Sequence, residues 1–565
     1  MSHTQKFTEA IQRISDAMSI QGTEHAERLF KEEMIALGWE ERIKNLYRVK
    51  DKISGKFRFF TPNSEQLEFL KNKKNRDIIL KSRQIGFTTL MCIYAYDRGL
   101  WDGWATGIMA HKLEKVKLIF DIVKNANDYF KKDWGHLYLP AEEHNNTTRI
   151  SWSDLKSSIT VAFDFQSNTL NFLHISEAAF IEGSRLTNSM QAVPENGEIV
   201  LESTPNGRGG TFYKLWQLHK SQKEFSPFKG HFFPWFKHYP EDATLWDSTT
   251  DIEWNDTELN LMTQYELNTT HLAWRRWKIN ESCEGSPEIF EVQYPSDDIS
   301  CFLSGECNVF SSSVLRYQES HITDPIHIGF LKSENRAIRF DRDHKGIIKI
   351  WELPKPDTDY VIGADASEGS GKDPCCAIVK NRKNGHQVAS LHGFLDPDLF
   401  ADELWKLGMF YNKAWINPEA NNHGHVVINE LTKKSYGNLY KRYTIDEFTN
   451  RPCTKIGFLT TSLTKVPLTD KFVAACRDGK FKVKDDDLLS EMSTYIQMSS
   501  KNGRTLRREA LVDCHDDRVM AACLAEEMDS RLATISPNEI TDPLLGNSDF
   551  SVDPDTGFVM NNFNE

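Results

Sequence analysis

Asp77-Ile78-Ile79-Leu80-Lys81-Ser82-Arg83-Gln84-Ile85-Gly86-Phe87-Thr88-Thr89-Leu90-Met91 decides how the first half of this chain is read. A short apolar run, a polar turn closed by glycine, and a second run opening on two threonines spell strand, tight turn, helix. That arrangement aims backbone N–H groups and a helix N-terminus at anionic oxygens. The standard phosphate-loop spacing is GxxxxGK[ST]. Here Lys81 stands at the first glycine and Phe87 at the lysine, while Gly86 and Thr88 are kept. The positive charge for a nucleotide's phosphates must therefore come from Lys81 or Arg83. Gln84 and Thr89 complete the loop, and the Thr88 hydroxyl suits a magnesium ion.

From about residue 57 to 215, other short apolar runs alternate with helical stretches: Ile78–Leu80, Gly107–Ala110, Asn171–Ile175 and Ile199–Leu201. Such alternation predicts a parallel sheet flanked by helices. Glu177 follows the third run, at the carboxyl end of a strand, where a carboxylate can polarise an attacking water. The position before it, the usual place of a magnesium-associated acid, is Ser176. Glu202-Ser203-Thr204-Pro205-Asn206-Gly207 ends the fourth run in a polar turn whose Ser203 and Thr204 hydroxyls suit sensing of a terminal phosphate. Upstream, Gln66 is placed to read an adenine edge. Taken singly, Glu177 also suits a helix N-terminus, and the turn after Glu202 is an ordinary one.

The second half carries another set of acids. Asp359–Asp365 reads as a strand ending in an acid, followed by the glycine-rich turn Glu368–Asp373. The strands Cys375–Lys380 and Val388–Phe394 are joined through an Asn384-Gly385 turn. Phe400–Tyr411 reads as a helix. Trp415–Glu419 is a short strand ending in a second acid, and His515-Asp516-Asp517 opens a helix over Arg518–Glu527. Two divalent ions about 4 Å apart can activate a water and stabilise the leaving oxygen of a phosphodiester. Asp365, Glu419 and Asp517 would converge on such ions if the two strands are neighbours and the helix crosses their ends. Asp516 is the alternative third acid, and Asp373 and His515 are auxiliary candidates. Alone, each acid also suits a strand-end turn or a helix cap.

At 565 residues the chain exceeds a single core. Composition is that of a soluble globular protein, with no apolar run near the ~20 residues that span a bilayer, so no membrane is expected. Met1-Ser2-His3-Thr4 lacks the basic-then-apolar layout of a secretory signal. The ten scattered cysteines contain no CxxC pair, which points to reduced thiols in a cytoplasm. The net charge of −13 argues weakly against a nucleic-acid partner. Three basic runs offset it as a DNA-tracking surface: Lys380, Arg382 and Lys383; Lys433, Lys434, Lys441 and Arg442; and Arg504, Arg507 and Arg508. Residues 1–55 read as helices with apolar faces at Phe7, Ile11, Ile14 and Met18 and at Leu29, Phe30, Met34 and Leu37, the second stopped by Gly38. Residues 536–565 have little to bury and read as a loose tail.

Ser82–Thr89, Ile175–Phe180 and Ser203–Gly207, in this order, resemble the large terminase subunit of tailed bacteriophages, and Phe290–Pro295 with Phe302 resembles that family's segment between its two enzymes. The resemblance spans residues 57–530. It implies an α/β chain with a P-loop (RecA/ASCE-like) parallel-sheet ATPase domain followed by a ribonuclease H-like nuclease domain. The implied division is 1–55 helical appendage, 56–225 ATPase core, 226–335 subdomain and connector, 336–535 nuclease, 536–565 flexible tail. By matching position it implies Arg83 as the preferred phosphate-contacting cation and Glu177 as the catalytic carboxylate. It further implies ATP and Mg2+ as cofactors, with Mn2+ an option at the nuclease. Implied partners are double-stranded DNA, a portal protein, a small terminase subunit and further copies of the chain in a ring. The implied location is host cytoplasm, transiently docked on a procapsid.

Overall fold

In the strand Arg76–Lys81, Ile79 packs with Leu90 and Met91 on one face, while Ile78 and Leu80 pack with Ile175 and Leu201 on the other. A strand buried on both faces needs a continuous apolar run, and that is why 77–80 reads as it does. The structure is a computed structural model. It describes residues 3–561 apart from 53, 167–168, 247–251, 304–307, 335–336, 368–373, 422, 446–450, 500–505, 512–513, 535–549 and 553–558. The chain divides into two compact units, Met1–Phe302 and Leu303–Glu565.

The first unit is built on a sheet in the order Lys229–Phe233, Arg76–Lys81, Glu198–Ser203, Phe172–Ser176, Ala105–Ala110, Ser157–Ala162, Arg149–Trp152, Glu142–Asn145. Neighbours run parallel through Ser157–Ala162, and the last two strands are antiparallel. The loop-bearing strand and the strand before Glu177 thus flank Glu198–Ser203. All three end at the same edge, where ligands bind in open α/β sheets. This is the expected P-loop parallel-sheet architecture.

The N-terminal segment is helical as expected, over His3–Gln21, Thr23–Leu37 and Trp39–Asn45. It is tied to the helix Phe87–Asp102 by a buried ion pair, Arg42 Nη2 to Asp97 Oδ2 at 2.7 Å. Tyr47 donates to the other Asp97 oxygen at 2.5 Å, and Trp101 Nε1 donates to the Tyr47 hydroxyl at 2.9 Å. Burial of a charge this deep is tolerated only with such full pairing.

The segment 226–335, expected to be a subdomain and connector, contributes to both units. Lys229–Phe233 adds the edge strand of the first sheet, and residues from 303 onward, including the strand His327–Glu334, belong to the second unit. Its aromatic richness has a packing cause. Trp235 stacks on Trp274 at 5.4 Å between ring centroids and Tyr239 stacks on the same ring at 4.5 Å. Rings packed face to face follow no strand or helix period, so the segment shows no alternation in sequence.

The second unit carries the sheet Trp415–Pro418, Tyr360–Asp365, Cys375–Asn381, Gln387–Gly393, Ile348–Ile350, His327–Glu334, Ala337–Arg342, Val559–Asn561, Phe550–Val552. Tyr360–Asp365 is antiparallel to Cys375–Asn381 and parallel to Trp415–Pro418. Three antiparallel strands with a fourth parallel to the first is the ribonuclease H-like arrangement. The closing helix, Asp517–Thr534, lies against the Asp365 strand. Of the tail expected to be loose, Phe550–Val552 and Val559–Asn561 are strands paired with one another; most of its other residues lie outside the described set. No helix among the described residues is long and apolar enough to cross a membrane.

Candidate active sites

In the first unit the loop leaves its strand at Ser82 and enters the helix at Phe87. Gln84 and Gly86 are both left-handed, with φ of 62° and 80°. The positive φ at Gly86 favours glycine, and a Cβ there would lie 2.8 Å from Gln66 Nε2, which would have to shift. The first amides of the loop are committed to the protein: Ser82 N donates to Phe233 O at 3.1 Å and Arg83 N to Gln293 O at 2.8 Å. Tyr239 OH donates to Arg83 O at 3.0 Å. The segment expected to follow the ATPase thus touches the loop itself, and the Arg83 side chain is exposed on that loop.

Phe87, in the position usual for lysine, is a core residue. Its ring lies 5.6 Å from Phe69 and 4.9 Å from Phe233. The cation is displaced to Lys81, whose Nζ lies 3.6 Å from Glu202 Oε2, both side chains buried. The Thr88 hydroxyl donates to Glu202 Oε1 at 2.5 Å and lies 3.4 Å from Ser176 Oγ. His174 Nε2 is 3.2 Å from Glu202 Oε1. Burial would raise the Glu202 carboxyl, but Lys81, His174 and Thr88 outweigh it and hold the group at about 2. Glu202 therefore joins Lys81, Thr88 and Ser176 in one cluster. Sequence reasoning quoted Glu202 only as the start of a turn. The signal that it belongs here is the parallel register Ser176↔Glu202, which a single sequence does not display.

Glu177 takes a left-handed backbone, φ 55° and ψ 46°. A non-glycine residue there stores about 1–3 kcal/mol of strain, which persists where the surroundings enforce it. Two bonds hold the turn: Ala179 N donates to Ser203 Oγ at 3.2 Å and Asn206 Nδ2 donates to Ala179 O at 3.2 Å. Ser203 and the buried Thr204 thus sit in the turn that grips the one carrying Glu177, and Thr89 follows on the helix, half-buried. Gln66 lies beside the loop. It forms a capping box with Asn63, accepting from Asn63 N at 2.9 Å, and its Nε2 donates to Gly86 O at 2.8 Å. Each end of its amide makes one bond, which braces the loop.

In the second unit, Asp365 ends its strand and Glu419 follows the parallel neighbour, with Glu419 N donating to Ala364 O at 2.9 Å. The two carboxyl groups act directly on one another. Burial first, then Glu419, then Asp517 and Asp516 push Asp365 well above the usual carboxylate range. Asn421 Nδ2 donates to Glu419 Oε2 at 2.5 Å. Asp517 opens the closing helix, with His515 Nδ1 3.6 Å from its Oδ2. Asp516 is drawn aside by Lys465, 3.1 Å away. The structure thus pairs Asp365 with Glu419 and brings Asp517 near, but the expected three-acid convergence is not complete. Among the described residues, no three His, Cys, Asp or Glu side chains are close enough to hold one ion. Asp373 and the glycine-rich turn lie outside the described residues. The donor set, carboxylate oxygens on adjoining strand ends, fits a hard divalent cation.

The approach of the closing helix is set by Gly363. A Cβ there would lie 1.9 Å from Ala521 O and 2.2 Å from Ala525 N. Glu491 holds the front of the same helix, accepting from Arg518 N at 2.8 Å and from Arg518 Nη1 at 2.6 Å. Gly363→Ala must lift the helix and carry Asp517 away from Asp365. The expected result is a loss of stability of about 1–3 kcal/mol in denaturant unfolding and a fall in plasmid cutting of about 10²-fold. Wild-type cutting in that variant would show that the helix does not set the site.

Several cations of the three basic runs are paired with acids. Lys380 is buried against Glu526 at 2.5 Å and Asp529 at 2.7 Å, and Arg382 pairs with Asp529 at 2.8 Å. Lys433 pairs with Glu430, and Lys434 with Asp402. Arg507 pairs with Glu509, and Arg508 with Asp470. Arg504 lies outside the described residues. Six cations of these runs thus have acid partners within the unit.

No protein-family model matches this chain, and no curated protein matches it significantly. Solved structures do. The large terminase nuclease of thermophilic phage G20c is 18% identical over 38% of this chain and 97% of that chain, TM-score 0.28. The large terminase ATPase domain of Thermus phage P74-26, as a point mutant, is 15% identical over 42% of this chain and 95% of that one, TM-score 0.30. A large terminase from another thermophilic bacteriophage is 11% identical over 84% of this chain and 100% of that one, TM-score 0.28. Identities and TM-scores this low lend no weight as to function, which rests on this chain's own side chains.

Proposed function

We propose that the chain is the large subunit of a tailed-phage terminase: an ATPase that drives double-stranded DNA into a procapsid and a metal-dependent endonuclease that cuts concatemeric DNA. The observation that supports this best is a shared placement. Each unit collects its acids at the carboxyl ends of neighbouring strands, one set around a phosphate loop and the other beneath a closing helix. Lys81 and Arg83 bind the phosphates, the Thr88 hydroxyl faces the divalent cation that accompanies them, and Glu177 orients and deprotonates the attacking water. Ser203 and Asn206, through Ala179, transmit a change at the Glu177 turn to the neighbouring strand end. In the second unit Asp365 and Glu419 would hold a divalent cation, magnesium or manganese, that would supply Lewis acidity to a phosphodiester, with Asp517 the nearby third acid. Partners of this reading are DNA, a portal, a small subunit and further copies of the chain around a ring, in host cytoplasm and on the procapsid.

The full chain tests it in two assays: phosphate release from ATP, and nicking of supercoiled plasmid in magnesium or manganese. Both activities are expected, the second abolished by EDTA. Nicking without ATP turnover, under conditions where ADP binds, would remove the motor from the reading.

A further inference from the structure

Ser176 leaves the first site without the acid that usually attends the nucleotide's cation, yet the place is not short of negative charge. Its register partner on the adjacent parallel strand is Glu202. The carboxylate is fully buried, and its two oxygens are unequally served. Oε1 takes the Thr88 hydroxyl at 2.5 Å and lies 3.2 Å from His174 Nε2. Oε2 is buried, accepts no hydrogen bond from the described residues, and faces Lys81 Nζ across 3.6 Å. A tight ammonium–carboxylate contact closes to about 2.8 Å. A buried charge is retained only where something pairs it, and this one is paired loosely on the side that faces the loop. Among the described residues the side-chain partners of the Thr88 hydroxyl are Glu202 and Ser176, so the acid nearest the cation-facing threonine is Glu202 and not Glu177.

We propose that Glu202 supplies from its own strand the carboxylate that position 176 lacks. It takes a place in the water shell of the divalent cation bound with the nucleotide, and Lys81 is its counter-ion until phosphate arrives. Charge is balanced in both states. Without nucleotide, Lys81 and Glu202 neutralise one another. With it, Lys81 turns to phosphate and the cation replaces it at Glu202. Because both partners exchange together, nucleotide and cation bind cooperatively. The inference rests on the ATPase reading above.

The test measures binding, not turnover. The full chain is titrated with a fluorescent ADP analogue with and without Mg2+, and with Mn2+ by electron paramagnetic resonance in the presence of ADP. In the wild type Mg2+ is expected to tighten nucleotide binding. In Glu202→Gln that gain, and Mn2+ affinity, fall by about 10–100-fold, the usual cost of an outer-shell metal partner. Ser176→Asp combined with Glu202→Gln, which returns the acid to the other strand, is expected to restore both. Full Mg2+-dependent tightening in Glu202→Gln overturns the proposal. So does its loss without recovery in the double variant, which would make Glu202 a positioning residue for Lys81. If thermal melting shows that Glu202→Gln does not fold, Glu202→Asp replaces it. The shorter acid is then expected to shift half-saturation by Mg2+ several-fold, and an unchanged value overturns the proposal. A wild type that binds no nucleotide with or without metal defeats the ATPase reading instead.

Discussion

Asp365→Asn is expected to abolish plasmid cutting, by roughly 10³-fold or more, and at the same time to make the protein more stable in EDTA at neutral pH. The first effect follows from chemistry: the strand-end acid nearest the strand-end partner Glu419 is the one whose oxygens a cation must find. The second follows from the same geometry without a cation. Burial and the Glu419 carboxyl, in that order, hold Asp365 well above its ordinary value. A carboxyl raised in the folded chain contributes stability that is complete below its unfolded value of about 3.9 and is lost as pH rises through the folded one. At neutral pH the two groups therefore oppose each other. Asparagine keeps the shape and removes the opposition, a gain of about 1 kcal/mol, read as about 2–4 °C in the melting of a unit this size. The gain is expected to vanish only well below about pH 3.9, near pH 2, where aspartic acid is protonated in either state. A variant that loses cutting and also melts lower would show that Asp365 holds the fold together, and the strand-end pair would lose its claim to be a site built at the expense of stability.

Much of this was legible in the residues alone, for identifiable reasons. Apolar runs such as Ile78–Leu80 and Val361–Ala364 are buried on both faces, so local sequence suffices to mark them as strands. Asp365, Glu419 and Asp517 terminate or open elements and so stand out by position. Glu202 does the same, yet its partners Ser176, Thr88 and Lys81 are brought together by strand register and by a helix start. A single sequence holds no register between parallel strands separated by helices. Gln66 is a different case: Asn63-Ser64-Glu65-Gln66 is itself a capping-box pattern, and the structure forms that box. The pairing of the basic runs is not legible along the chain. The acids that neutralise Lys380 and Arg382 lie in the closing helix, Glu526 and Asp529, and are remote in sequence.

The second large effect separates two acids that the fold places on neighbouring strand ends. Glu177→Gln is expected to lower the rate constant for ATP hydrolysis by about 10²–10⁴-fold, the usual contribution of a general base, while nucleotide affinity and its dependence on Mg2+ stay as in the wild type. The side chain is isosteric, and the left-handed turn that carries it is held by Ser203 and Asn206 through backbone atoms of Ala179, none of which the substitution touches. What is lost is the ability to take a proton from water. Glu202→Gln differs in kind: it disturbs the carboxylate that meets Thr88 and Lys81, so its first effect falls on binding. Phosphate release under saturating ATP and Mg2+, measured beside analogue binding, distinguishes the two. Plasmid cutting in Glu177→Gln is expected to equal the wild type, since Asp365 and Glu419 lie in the other unit. If Glu177→Gln retained hydrolysis within a few-fold, the base would have to be sought at Glu202, the buried carboxylate that is held at about 2. A group that acidic is a poor proton acceptor near pH 7, which favours Glu177 for the proton, while the assignment of the cation to Glu202 rests on its contacts with Thr88 and Lys81.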